Sequence, residues 1–254
     1  MATQIDVHEE RWIRSAGRQV RLLVSGQPRD SVPQVHIVPG LGAIGYLLEF
    51  AHACGAWTRS VLLDLPGFGH PATRDCPADL DALTPVAVGS LAAASGADPV
   101  VLVGHSTGAQ LALRAAAAAP ERVAALVLVG ITFEPAARAA PARLLPQLRT
   151  YAWERPRELL LTLPDFARAG RRLPQYVSSA LRDRPEDRMA SVHGPVLVLR
   201  GHHDTLCPPS WARELSARAH DGEAVTLPGS HNVPYTHPGA VALHVGGMAG
   251  RVGG

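Results

Sequence analysis

Few side chains can turn an alcohol into a nucleophile, and the types that can do so stand at three places in this chain. Ser106 lies within Gly104-His105-Ser106-Thr107-Gly108, Asp204 closes Gly201-His202-His203-Asp204, and His231 follows Gly229-Ser230. A serine hydroxyl reacts poorly until a base removes its proton, and that base works best when a third group orients it. Serine, histidine and aspartate are the types for nucleophile, base and orienter. The bland alternatives are a strand-to-helix loop at Ser106, a turn or helix cap at Asp204, and a hydrogen-bonded loop histidine at His231.

The surroundings of Ser106 favour chemistry. Val100-Val101-Leu102-Val103 reads as a buried strand, and an alanine-rich run to Ala119 reads as a helix, closed by Pro120. Strand, tight Gly-x-Ser-x-Gly turn and helix is the context that gives this pentapeptide a mechanism. Gly104 and Gly108 would let the chain bend sharply and let strand and helix approach. Ser106 would then sit beside helix N-terminal N–H groups able to stabilise an oxyanion. In a parallel α/β sheet, functional groups collect in loops beyond the strands' C-terminal ends. Asp204 lies four residues past a strand ending at Arg200, and His231 four past one ending at Leu227. Pro39-Gly40-Leu41-Gly42 follows the early strand Val35–Val38. It places the Leu41 N–H to pair with that of Thr107 as an oxyanion hole; Pro39 has no N–H to offer.

The elements that must position these groups can be read in order. Residues 12–25 alternate around Gly17 as a hairpin. A helix is expected over Ile44–Cys54, a strand over Ser60–Leu65, and a helix over Asp79–Ala94. Val123–Val129 and Pro195–Arg200 read as buried strands, with a helix over Ser210–His220 and a strand over Ala224–Leu227. A last helix spans Pro238–Met248, with Gly250–Gly254 as a frayed tail. Buried strands alternating with helices imply a mostly parallel sheet covered on both faces, an α/β fold. Between Phe133 and Val192 strands vanish, seven prolines punctuate helical fragments, and eleven Arg against seven Asp and Glu give a charge of +4. This segment reads as an insertion between two strands. Its excess charge reads as a solvated face, with selection of a carboxylate substrate as the sharper alternative.

Composition bounds the class. The chain has 254 residues, 46% hydrophobic and 18% charged, with a formal net charge of +2, so it can bury a sizeable core and has no electrostatic case for nucleic acid. All 24 basic residues are arginine, which excludes a lysine nucleophile or Schiff base. Cys54, Cys76 and Cys207 form neither a disulfide framework nor a zinc pattern. Residues 1–10 lack an apolar signal-peptide core, and no apolar run reaches membrane-span length; cytoplasmic is the expected compartment. Glu134, after the 123–129 strand, is a reserve acid. His105 is expected to be structural, Cys207 a packing residue, and His202-His203-Asp204 a weak metal motif. Tyr151, Trp153, Phe166 and Tyr176 would line a pocket or pack a core.

Taken together, Val38–Gly42, Asp64–Gly69, Gly104–Gly108, Ala119–Val123, Gly201–Asp204 and Gly229–His231 resemble the α/β-hydrolase superfamily, near its small esterase, haloperoxidase-like and C–C bond hydrolase branch. The order Ser, Asp, His is that superfamily's order. The resemblance covers the chain apart from residues 133–192. It implies an α/β-hydrolase fold, with residues 1–132 and 193–254 as core and 133–192 as a helical cap. It implies Ser106 as nucleophile, His231 as general base and Asp204 as its orienter, with no cofactor and a small acyl substrate. Two departures stand out: Pro39-Gly40 where many relatives carry His-Gly, and His70 where serine or alanine is common. The expected activity is hydrolysis of a small or medium ester, thioester or lactone. The alternatives are C–C bond hydrolysis of a vinylogous diketone and a non-catalytic binding protein on the same fold.

Overall fold

A computed structural model describes residues 9–68, 76–139, 148–154 and 156–253. His70 lies outside them. Eight strands form one sheet in the order β1-β2-β4-β3-β5-β6-β7-β8. They are β1 (Glu9–Ser15), β2 (Arg18–Ser25), β3 (Val35–Val38), β4 (Ser60–Asp64), β5 (Val100–His105), β6 (Val123–Val129), β7 (Val196–Gly201) and β8 (Gly222–Leu227). The hairpin β1-β2 pairs antiparallel, as does β2 with β4, and the remaining pairings are parallel.

Alternation along the strands explains the two layers. Leu102, Leu126, Leu128, Val196 and Val198 face one side, under α2 (Leu80–Ser95), α3 (Thr107–Ala118) and α7 (Pro209–Arg218). Val101, Val103, Val127, Leu197 and Leu199 face the other, under α1 (Leu48–Gly55) and the C-terminal α9 (Pro238–Val252). Such strands, apolar on both faces, are stable only when helices cover both. Asp79 starts α2 by accepting the Ala82 N–H at 2.8 Å, an N-cap.

After β3 the chain crosses to β4 on one side and then returns to β5 on the other. The ends of β3 and β5 therefore flank a topological switch point, where open α/β sheets leave a crevice. Val38 pairs with Gly104 there, which puts Pro39–Gly42 beside Ser106.

Two expectations need correction. The helix expected over Ile44–Cys54 divides into a 3-10 turn (Gly45–Leu47) and α1. The tail expected from Gly250 is helical through Val252. Its glycines do not break it because Val245, Met248 and Ala249 are buried in the sheet-side core and Val252 packs beside them.

The insertion after β6 carries α4 (Pro135–Ala139), a 3-10 segment (Leu148–Trp153), α5 (Pro156–Ala169) and α6 (Arg172–Arg182). A short helix α8 (Val233–Thr236) follows the His231 loop. No helix among the described residues is long and apolar enough to cross a membrane.

Candidate active site

Ser106 sits between β5 and α3 with φ 57 and ψ −126, a conformation costly for a residue with a Cβ. Its N–H is held by the Val129 carbonyl at 2.8 Å. The flanking glycines are forced by space. A Cβ on Gly104 would lie 2.5 Å from Ala109 Cα, and one on Gly108 would lie 2.4 Å from the Pro39 carbonyl oxygen.

The loops after β7 and β8 bring the other two residues to Ser106. His231 Nε2 lies 2.9 Å from Ser106 Oγ, and His231 Nδ1 lies 3.1 Å from Asp204 Oδ2. All three side chains are buried. Asp204 Oδ1 is fixed by the N–H groups of Leu206 (2.9 Å) and Cys207 (3.0 Å). Buried Arg200 holds the loop from inside, donating to the carbonyls of Asp204 (2.8 Å) and Cys207 (2.6 Å). Burial pulls the His231 imidazole pKa down. The Asp204 charge and hydrogen bond, followed by the Glu154 charge, more than offset that, so it lies above the ordinary histidine value. Such a ring accepts a proton readily, and with a hydroxyl at 2.9 Å the arrangement can deprotonate Ser106.

Leu41 has φ 48, and its N–H donates to Thr107 Oγ1 at 2.9 Å. The Thr107 N–H belongs to the first turn of α3, where no intrahelical acceptor exists. The two proposed oxyanion donors thus stand on either side of the Ser106 elbow.

Beneath the elbow runs a chain of polar contacts that ties the two loops together. The Gly40 N–H donates to Tyr46 Oη at 3.1 Å, Tyr46 Oη lies 2.6 Å from His105 Nδ1, and His105 Nε2 lies 3.1 Å from the His231 carbonyl. A carbonyl only accepts, so His105 carries its proton on Nε2 and Tyr46 donates to Nδ1. Burial, with a smaller push from His231, lowers the His105 pKa to about 3, so the ring stays neutral and structural.

The remaining candidates separate clearly. The carboxylate bonded to His231 Nδ1 is Asp204, and Glu134 is half-buried. His203 stacks on Trp153 at 4.2 Å and His202 meets it edge-on; among the described residues no group of three His, Cys, Asp or Glu could hold a metal ion. Cys207 is buried, and burial pushes its thiol well above the ordinary value. Tyr176 is fully buried against Phe68, Phe166 is half-buried, and Trp153 is 64% exposed. The Tyr151 side chain lies outside the described residues. Three insertion arginines, Arg138, Arg168 and Arg188, pair with the chain's own Glu186, Asp165 and Asp183.

Sequence reasoning missed four polar residues around the site. In the sequence Arg200 marks only a strand end, and Thr150, Glu154 and Asp165 look like any polar residue in an arginine-dense, helical stretch. No spacing rule distinguishes them.

A family model described as the Alpha/beta hydrolase family matches residues 36–243. The chain belongs to the alpha/beta hydrolase family. Among curated relatives, this hydrolase is 31% identical over 241 residues to "Putative carbamate hydrolase RutD" of Klebsiella pneumoniae (strain 342), covering 84% of this chain and 89% of that one. Its fold is similar to a thermophilic esterase from Thermogutta terrifontis (TM-score 0.78, 17% identity, 97% of this chain and 100% of the other). It is also similar to the enol-lactonase from Burkholderia xenovorans LB400 (TM-score 0.73, 19% identity, 94% and 99%).

Proposed function

We propose that this alpha/beta hydrolase is a serine hydrolase that cleaves a small or medium carboxylic ester, thioester or lactone through an acyl-enzyme. The observation that carries the reading is the chain of contacts from Asp204 Oδ2 to His231 Nδ1 (3.1 Å) and from His231 Nε2 to Ser106 Oγ (2.9 Å). His231 takes the Ser106 proton as Oγ attacks the substrate carbonyl carbon. The oxygen that becomes negative takes over the Leu41 N–H from Thr107 Oγ1 and also accepts the Thr107 N–H. One such donor contributes about 3 kcal/mol to the transition state. The tetrahedral intermediate collapses, and His231 gives the proton to the leaving alcohol or thiol. A water deprotonated by His231 then attacks the acyl carbon, and Ser106 leaves with its proton restored. Asp204 remains ionised and stabilises the imidazolium in both halves. Nucleophile, proton carrier and oxyanion donors are all protein groups, so this cycle needs no cofactor.

Residues 133–192 act in this reading as a cap that selects the acyl and leaving groups. The supporting contacts are Thr150 Oγ1, which accepts the His231 N–H at 3.2 Å, and Tyr176 Oη, which donates to the Thr107 carbonyl at 3.5 Å. The name of the Klebsiella relative adds a carbamate to the substrates worth testing, since its carbonyl would pass through the same type of tetrahedral intermediate.

The test is turnover of p-nitrophenyl acetate, butyrate and an N-methylcarbamate by the native protein and by Ser106→Ala. A loss of about 10⁴-fold or more in kcat is expected for the variant on any ester turned over. Equal rates in the two proteins would end the nucleophile assignment. Turnover of a ring-cleavage dienone with no ester cleavage would replace the ester reading by C–C bond hydrolysis.

A further inference from the structure

The insertion touches both loops of the site through buried carboxylates that the chemistry above does not use. Glu154 is 9% exposed. Its Oε1 accepts from the Ser230 hydroxyl and from the Asn232 N–H at 2.9 Å, the two neighbours of His231 in the chain. On the same loop the His231 N–H donates to Thr150 Oγ1, and the Thr150 N–H donates to the hydroxyl of Thr205, next to Asp204, at 3.1 Å. Across the site, Asp165 is 5% exposed. Its Oδ2 accepts the N–H groups of Ile44 (3.1 Å) and Gly45 (3.5 Å), just beyond Pro39–Gly42, while Oδ1 holds Arg168.

Loop N–H groups have no ladder to join, so their partners decide where the loop stands. An ionised carboxylate acceptor makes such a bond up to roughly twice as strong as a neutral one. Burying the charge is costly, however, and is repaid only by several well-placed donors. Glu154 draws both donors from the His231 loop, and Asp165 adds to its own Arg168 the two N–H groups of Ile44 and Gly45; neither loop is a neighbour in sequence.

We propose that Glu154 and Asp165 are positioning residues, the first holding the loop of the base His231 and the second the loop of the oxyanion donor Leu41, so that the insertion completes the active site as well as covering it. The inference rests on reading Ser106 and His231 as nucleophile and base. The two carboxylates are not equivalent. The Glu154 charge also favours the protonated His231 ring, whereas Asp165 is tied to Arg168 and to the backbone of Ile44 and Gly45. The other groups facing His231 are Asp204, the Ser106 hydroxyl and the neutral ring of His105, centred 5.0 Å away. Arg200 bonds to the Asp204 backbone carbonyl.

The experiment is a pair of pH profiles of kcat/KM and kcat on the best ester for the native protein, Glu154→Gln, Glu154→Ala, Asp165→Asn and Asp165→Ala, each per amount of folded protein. His231 must be neutral to act as base, so activity rises with pH through its pKa. Removing the Glu154 charge lowers that pKa, and Glu154→Gln should move the acid limb about half a pH unit or more to lower pH. Glu154→Ala should show the same displacement with a loss of roughly 10- to 100-fold in kcat and little change in KM. The glutamine variant should retain more kcat because its carbonyl still accepts from Ser230 and Asn232. Asp165→Ala should lose kcat on the same scale with the acid limb in place, and Asp165→Asn should recover part of it. Glu154→Gln is isosteric, so its limb can be read even if an alanine variant does not fold. An unmoved limb in Glu154→Gln, with full kcat in the alanine variants that fold, overturns the inference alone, provided a fluorophosphonate labels Ser106 in the native protein. Failure of that labelling takes down both the functional reading and this one.

Discussion

The sheet and the β6–β7 insertion hold the site by different physical means. In the sheet, the candidate groups are carried on short leads from paired strands. Val38 is in register with Gly104, His105 with Val129, and Gly201 with Leu227, so backbone pairing fixes where each loop begins. The insertion has no strand among its described residues. It meets the site through isolated contacts, the side chains of Thr150, Glu154, Asp165 and Tyr176 and the Thr150 N–H, and leaves Leu160 and Leu163 67% and 55% exposed. Backbone register tolerates no local change, whereas a side-chain tether can be lost without unfolding what lies behind it. The division lets one set of strand ends serve different coverings, which is how sites are grafted onto common folds.

The sharpest way to break this contrast is at a group locked by backbone. In Asp204→Asn the N–H groups of Leu206 and Cys207 keep the amide oxygen at the Oδ1 position, so the NH2 must face His231 Nδ1. That selects the wrong ring tautomer, and kcat should fall about 10⁴-fold with little change in stability. A loss below tenfold would mean that orientation of His231 comes from the insertion instead. Next in size, Gly104→Ala drives a methyl into the backbone of α3 and should cost about 3 kcal/mol by urea unfolding. Leu163→Ser on the insertion's surface should stay within about 0.5 kcal/mol. Comparable losses in the two would erase the distinction.

The histidine share of acid sensitivity should also belong to the sheet, since residues 133–192 contain no histidine. The insertion's share is carried by Glu186, whose carboxyl burial pushes up but Arg138 holds below the usual value. Burial lowers the pKa of both His36, on β3, and His105 to about 3. Their unfolded values lie near 6.5, so below that pH the unfolded chain binds protons that the folded protein refuses. The stability these neutral rings represent is complete above about pH 6.5 and declines as pH falls toward 3. His231 has the opposite sign: its raised pKa adds stability that is present below about 6.5 and lost as pH rises through the folded value. Both ring nitrogens of His36 are buried without a hydrogen-bond partner. His36→Leu should therefore flatten the slope between pH 5.5 and 4 by about 1.4 kcal/mol per pH unit. An unchanged slope would place the acid sensitivity elsewhere.

What the chain discloses in one dimension follows the same division. Strand ends are legible because runs rich in β-branched residues and leucine end abruptly in Gly, Pro or Asp, as at Val38-Pro39, Leu227-Pro228 and Val103-Gly104. From these ends the loops carrying Ser106, Asp204 and His231 can be placed before any distance is known. Only the end of the last helix is misjudged from sequence: Gly250 looks like the start of a tail, but packing of Met248, Ala249 and Val252 outweighs the weak helix propensity of glycine. Glu154 and Asp165 were illegible for a deeper reason. Their partners lie 76 to 78 and 120 to 121 residues away, and an acidic residue among arginines looks the same whether it is solvated or buried.

The contacts beneath Ser106 close on themselves. From Ser106 Oγ the path runs to the His231 ring, from its carbonyl to His105, through Tyr46 to Gly40, along the chain to Leu41, and through Thr107 back to Ser106. A circuit of this kind has no loose end. Opening it at one link leaves every member still connected by the other route, while one cut on each route, at Ser106–His231 and at His105–Tyr46 for example, separates His231 from the Leu41 and Thr107 N–H groups. Robustness to a first lesion and fragility to a second is therefore built into the elbow's geometry, and the energies of paired substitutions around it should not add.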